Sequence, residues 1–299
     1  MTAMNARIGD REATATRLIK SSVEKSYEPH VDVDWDAPLV DGLWGLPAHR
    51  SSLYGTALWD GLTDEQRRTL TVHEVCSVAR IGLWFEIILM QMLLRYAYDR
   101  DPRQAHIQYA LTEIADECRH SVMFAKMTDR YGVPDYAPTG LTHNLGRFFK
   151  TVGSGPAMFG GALFVEEILD RFQRESMRDE TVQPLTRRVN TIHVTEEARH
   201  VRYAREELAR IMPHAGRAER ELARYVLARI AFVVARNLVH PDVYAAVGID
   251  PRVGRKAALA NPHWQESLRW FAEKCVRFLR DQGLVGGPSE LLWRKAYLV

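Results

Sequence analysis

Two stretches of this chain repeat one chemical pattern at one spacing. Glu86, inside the apolar run IGLWFEIILM, lies 31 residues before Glu117, and Glu166, inside FGGALFVEEILD, lies 31 residues before Glu197. Each later glutamate opens a Glu-x-x-His, in DECRH with His120 and in EEARH with His200. On a helix the two residues of such a motif share one face. The interval suits a helix that leaves a given height, turns, and returns antiparallel to it. About a dozen residues each way and a short loop make arms of roughly 18 to 20 Å. Two such hairpins predict a four-helix bundle. Its centre takes one Glu from each of two helices and Glu-x-x-His from each of the other two, the pattern of dinuclear carboxylate sites.

A third histidine joins the second motif. In TIHVTEEARHVRY, His193, Glu197 and His200 are spaced by four and three residues, which brings their side chains within roughly 60° of one another on a helix. Imidazoles with a carboxylate are a ligand set for iron, manganese or zinc. The carboxylates lie where an apolar stripe is expected: Ala79, Gly82, Leu83, Glu86, Leu89 and Met90 recur at helical spacing. Of the adjacent pair, Glu166 shares a face with Ala162, Leu163 and Leu169, whereas the face of Glu167 runs out to Asp170 and Arg171, so Glu166 is the expected ligand. Four glutamates in one core layer cost several kcal/mol each unless protons or cations compensate. Two divalent cations match them in charge.

The neighbours of the motifs repeat too. Asp116 beside Glu117 and Glu196 beside Glu197 are placed to cross the bundle and accept a hydrogen bond from a ligand imidazole, which would fix the ring's orientation. Arg119 and Arg199 recur in register, each able to pair with such an acid. Either half alone reads as surface ion pairs, and the repetition argues against that reading. Gly160, Gly161 and Ala162, one turn before Glu166, either leave room beside the metals or allow close helix packing.

Glu86, D116-E117-x-R119-H120, Glu166 and E196-E197-x-R199-H200 together resemble the ferritin-like non-haem diiron superfamily, which includes ribonucleotide reductase small subunits, bacterial multicomponent monooxygenases and acyl carrier protein desaturases. His193 narrows the resemblance. His-x3-Glu-x2-His is similar to the AurF-like arylamine N-oxygenases, which oxidise aminoarenes such as p-aminobenzoate at a site of four Glu and three His. The resemblance covers roughly residues 64 to 212. It implies an all-α, ferritin-like four-helix bundle with flanking helices. It also implies two iron ions, with manganese admissible in one or both positions, held by Glu86, Glu117, His120, Glu166, His193, Glu197 and His200. O2 is the implied co-substrate, an external donor supplies electrons, and the substrate is a small molecule, an aryl amine first of all. A homodimer is expected. Phe124 stands four residues after His120, where reductase small subunits carry the radical tyrosine, which argues against radical storage.

Other readings of the same site stand beside this one. An oxidase or oxygenase acting on an aliphatic or lipid-like substrate would be favoured by a long apolar channel. A ferritin-like iron-binding protein would form shells, and the long helices expected after Pro213 lend that no support. A purely structural bundle would bind metals without consuming oxygen.

Composition bounds the rest. Of 299 residues, 46% are hydrophobic and 26% charged, ordinary for a globular protein. With 40 basic against 38 acidic side chains there is no large field to steer nucleic acid. Three cysteines, Cys76, Cys118 and Cys275, share no metal-like spacing and form an odd number, so a disulfide framework is not expected and a reducing cytoplasm fits. No signal-peptide core opens the chain, and no uninterrupted apolar run is expected to cross a bilayer. Residues 1–62 are expected to form an arm packing on the bundle, polar with one helix up to about residue 25 and irregular thereafter, and residues 63–299 a single helical domain. Within it Thr63 and Gln66 form a capping box for a helix to about Tyr98, Asp101 and Pro102 start a helix ending near Gly132, and 141–150 is helical. Pro156 reopens a helix, Pro184 and Pro213 bound the next, and three more follow near 216–239, 251–259 and 262–282, the last capped by Asn261.

Overall fold

The computed structural model describes residues 9–299, so the first residues of the expected arm lie outside the described part. In chain order the helices are α1 (Arg11–Glu24), α2 (Pro29–Asp32), α3 (Ala57–Asp60), α4 (Asp64–Tyr98), α5 (Ala105–Arg130), α6 (Gly140–Val152), α7 (Gly155–Ser176), α8 (Pro184–Ile211), α9 (Arg217–Asn237), α10 (Pro251–Ala260), α11 (Pro262–Asp281) and α12 (Glu290–Lys295). Among the described residues the β pairing is one isolated parallel bridge, Trp44 to Val182. The protein is all-α.

α4 pairs with α5 and α7 with α8, and the two hairpins close on each other through α5 against α8 and α4 against α7. This is the four-helix bundle. α9 and α11 pack on the outer side of α7, and α1 lies along α5 and α8. The helix starts follow local chemistry. Thr63 accepts from the Gln66 amide at 3.2 Å while the Gln66 side chain accepts from the Thr63 amide at 3.0 Å, a reciprocal capping box. Asn261 caps α11, with Pro262 in its first turn.

The start of α5 differs from expectation. Asp101 and Pro102 form a turn in which Asp101 accepts from the Arg103 amide, and the helix begins at Ala105. The side chain of its N-cap residue, Gln104, makes no capping bond. Glu12 of α1 supplies the acceptor instead, 2.6 Å from the Ala105 amide. An orphan donor at a helix start takes whatever acceptor the fold brings to it.

α4 carries an 18-residue window with mean hydropathy 1.5, long and apolar enough by composition to span a bilayer, although Arg80 and Glu86 leave no uninterrupted apolar run of that length. Here 56% of that window is buried inside the protein, and Glu86 on its inner face is 3% exposed. The apolar length serves the bundle core.

Candidate metal centre

The inner faces of the four bundle helices carry seven donor side chains at one height. Glu86 comes from α4, Glu117 and His120 from α5, Glu166 from α7, and His193, Glu197 and His200 from α8. All are buried, and Glu166, the most open, is 6% exposed. Donor atoms of Glu117, His120, Glu197 and His200 lie within 4.8 Å of one another, and the same limit joins Glu86 to His120 and His193, and Glu166 to His193 and Glu197. In each Glu-x-x-His the imidazole Nδ1 is 3.2 Å from its own glutamate, His120 to Glu117 and His200 to Glu197. His193 Nε2 lies 3.6 Å from Glu86 and 3.7 Å from Glu197.

The outward nitrogens are held from the opposite hairpin. His120 donates from Nε2 to Glu196 at 2.9 Å, and His200 donates from Nε2 to Asp116 at 3.2 Å. This reciprocal exchange turns both Nδ1 atoms to the centre. Asp116 also accepts from Arg199 at 3.2 Å and from Arg119. Burial alone would push the Asp116 carboxyl up, but the His200 bond and both guanidinium charges outweigh it and hold it below its ordinary value. Glu196 accepts from the backbone amide of Tyr27 at 3.0 Å, Arg199 donates to the Lys25 carbonyl, and Arg119 to Ser26. The segment after α1 therefore closes the back of the site.

The donor set fits metal ions. The Oε1 atoms of Glu117, Glu166 and Glu197 are buried with no hydrogen-bond donor aimed at them. His200 Nδ1 is 2.9 Å from Glu117 Oε1 yet off the direction of a hydrogen bond, as two ligands of one ion would be. Burial pushes Glu166 well above its ordinary range, and the charges of Glu197 and Glu117 add to it. Burial would lower His120, but its bonds to Glu117 and Glu196 raise it to about 10. Such a cluster needs positive charge, which two divalent cations would supply.

Several participants carry no periodic signal. Gln173, two turns after Glu166, accepts from His193 Nδ1 at 2.9 Å, and Ser121 donates to Glu86 at 2.9 Å. Their side chains are common on helices, so only the residues they meet mark them out. Glu113 is buried one turn before Glu117, and burial raises its carboxyl well above the usual range. Glu167 does not run out to solvent as its face suggested. It is 4% exposed and paired with Arg205, which donates at 2.6 Å. Phe124 packs against His193, ring centroids 5.0 Å apart.

Two cavities meet at Glu166. A small one of about 30 Å³ lies between Glu86, Glu166 and His193, enough for a water-sized molecule. A larger one of about 470 Å³ runs from Glu166 along α7, floored by Gly161 and Ala162 and roofed by Phe148 and Phe149 of α6. Of the small residues before Glu166, Ala162 lines the cavity, Gly160 lets Leu227 of α9 pack close, and Gly161 does both, since an added Cβ there would lie 3.1 Å from Ile230 and Phe149.

The sequence model of the family described as "P-aminobenzoate N-oxygenase AurF" matches residues 9–283. The chain belongs to the AurF family. Membership reaches well beyond the bundle, taking in α1 and α11, and makes this AurF-family chain an oxidoreductase. It is 30% identical over 296 residues to uncharacterized proteins of Mycobacterium tuberculosis (strain CDC 1551 / Oshkosh) and Mycobacterium bovis, covering 93% of this chain and 84% of each relative. Among solved structures it is similar to mutants of an R2-like ligand-binding oxidase with an aerobically reconstituted Mn/Fe cofactor, at 12 and 13% identity. Each alignment has a TM-score of 0.45 and covers 98% of this chain and 92% of the other.

Proposed function

We propose that this AurF-family member is an O2-dependent oxygenase with two iron ions, manganese being admissible in either position, held by Glu86, Glu117, His120, Glu166, His193, Glu197 and His200. Its proposed reaction is N-oxygenation of an aryl amine. The observation that carries the reading is the convergence of four buried glutamates and three histidines in a chain of this family. The bound metal would supply the electrons and open positions for O2 activation. The chain's own groups do the rest. Glu196 and Asp116 hold the His120 and His200 rings, Gln173 holds His193, and Ser121 holds Glu86. The apolar walls beside Glu166 keep bulk water from the reacting face. An external electron donor and a homodimeric assembly complete the proposal, and the free thiols, exposed Cys118 among them, suit a reducing compartment such as the cytoplasm.

A second reading has a specific observation in its favour. The 470 Å³ apolar cavity would also suit oxidation of an aliphatic or lipid-like substrate. The deciding experiment loads the protein with Fe(II) without oxygen, then mixes it with O2 while metal content and the visible spectrum are followed, with and without p-aminobenzoate and larger amines. Two irons per chain, a coloured intermediate that an amine quenches, and hydroxylamino or nitro product are the expected result. Oxygen consumption that no amine alters would move the assignment to the second reading. Well-loaded protein with no oxygen reaction would overturn both.

A further inference from the structure

We propose that the cavity between α6, α7 and α9 is a substrate chamber for an amphipathic carboxylate whose apolar body exceeds one aromatic ring. The carboxylate sits at Arg229 and the far end lies against Glu166. The inference rests on the oxygenase reading and narrows its substrate class.

Size is the first argument. A cavity of about 150 Å³ is enough to bind a benzene ring, and this one holds about 470 Å³. A single-ring amine would leave most of it unfilled, and unfilled apolar space forgoes contact energy. The volume belongs to the range of roughly 300 to 1,000 Å³ typical of sites for larger ligands.

Lining is the second. Trp84 and Leu89 of α4, Phe149 of α6 and Ile230 and Val233 of α9 give apolar walls. The charged groups among the lining residues are Glu166, Glu219 and Arg229. Their heights follow from the packing of α7 on α9, where Gly155 faces Glu219, Gly160 faces Leu227 and Gly161 faces Ile230. Along the helix axis Glu219 therefore lies roughly 16 Å from the level of Glu166 at 1.5 Å per residue, whereas the backbone of Arg229 is only roughly 8 Å from that level and its exposed side chain reaches outward from there. Arg229 is exposed, its guanidinium 5.8 Å from the centroid of Tyr225, and among the described residues no carboxylate lies within 4.0 Å of it.

The rim is the third. Leu145, Phe148 and Val152 of α6 and Leu222 and Tyr225 of α9 are large apolar side chains left exposed around the opening. One cation on an apolar rim above an apolar chamber is complementary to an apolar molecule with one anionic end. The roof is tethered at one end, because Arg95 donates to the carbonyls of Lys150, Thr151 and Gly153 where α6 finishes.

The test is calorimetric binding to the metal-loaded and the metal-free protein, with four probes: dodecanoate, 4′-aminobiphenyl-4-carboxylate, p-aminobenzoate and neutral 4-aminobiphenyl. At least one of the two large carboxylates is expected to bind ten-fold or more tighter than p-aminobenzoate. Tight binding of dodecanoate alone assigns an acyl body and of the biphenyl acid alone an aryl body; either supports the chamber. Arg229→Gln, an exposed change, should weaken the large carboxylates about ten-fold while leaving the neutral biphenyl within two-fold, and Ala162→Phe should abolish binding of both. Equal affinity for p-aminobenzoate and the large acids, or an Arg229→Gln protein that binds them as well as the parent, overturns the proposal. Because binding is read without turnover, a biphenyl amine that binds tightly but is never oxidised would instead defeat the N-oxygenase reading and leave the chamber standing.

Discussion

Glu196 of α8 accepts a hydrogen bond from Nε2 of His120 on α5, 2.9 Å away, and so reaches across the bundle from the motif that carries His200. Asp116 does the same for His200 in the opposite direction, at 3.2 Å. Partners of this kind set ring orientation and ligand basicity, and their loss typically costs 10- to 100-fold in metal affinity or activity. Glu196→Gln is therefore expected to fold, to keep its helical content, and to lose about ten-fold or more in Fe(II) or Mn(II) affinity by competition with a chromophoric chelator. Unchanged affinity would refute the role given to Glu196.

Glu166 is expected to act in opposite directions with and without metal. In chelated protein the Glu166 carboxyl is pushed well above its ordinary range, and Glu166→Gln removes the cost of holding that proton in the fold, so its Tm should rise by a few degrees. In protein loaded with two equivalents of metal, the parent gains stability by binding linkage. The variant should gain less and titrate to fewer ions per chain. Thermal melts with chelator and with metal, paired with metal analysis, check both halves.

Glu74 sets a pH dependence away from the metal centre. It is fully buried on α4, accepts from the Ser52 amide at 3.0 Å and from the Ser52 hydroxyl, and burial raises it to about 7. A carboxyl with a raised folded-state pKa binds its proton more tightly in the native state than in the unfolded chain. Its stabilisation is full below the ordinary value near 4.5 and is lost as pH climbs to about 7. The shift corresponds to roughly 3 kcal/mol at most. Chemical denaturation at pH 5 and pH 8 should show the parent weakening at the higher pH and Glu74→Gln weakening distinctly less.

Gly45 marks a close approach of the irregular arm to the bundle. A Cβ there would lie 2.4 Å from Val72 Cα and 2.6 Å from the Thr71 carbonyl carbon, both in the backbone of α4. A helix backbone cannot yield as a side-chain tip can. Gly45→Ala should destabilise the protein by about 2 kcal/mol or more, at the upper end of ordinary point mutations, and should break the Gly45 amide's bond to Thr71 at 2.9 Å. A denaturation midpoint equal to the parent's would show that the arm shifts at no cost.

Much of the bundle was legible in the residues themselves. The 31-residue interval and the Glu-x-x-His motifs set which side chains share a face and a height, because helical rise and twist are local and constant. Thr63 with Gln66, Pro184 and Asn261 with Pro262 mark helix starts within a few residues of chain for the same reason. The tertiary structure decided what depends on segments meeting across the fold. Glu12 starts α5 from 93 residues away, Tyr27 binds Glu196 from 169 residues away, and Gln173 meets His193 from the neighbouring helix. The chamber beside Glu166 likewise exists only because α6 and α9 stand where they do. Periodicity tells which face of a helix is buried. It says nothing of which distant donor, acceptor or void that face will meet, since such contacts are chosen by packing and leave no regular interval in the chain.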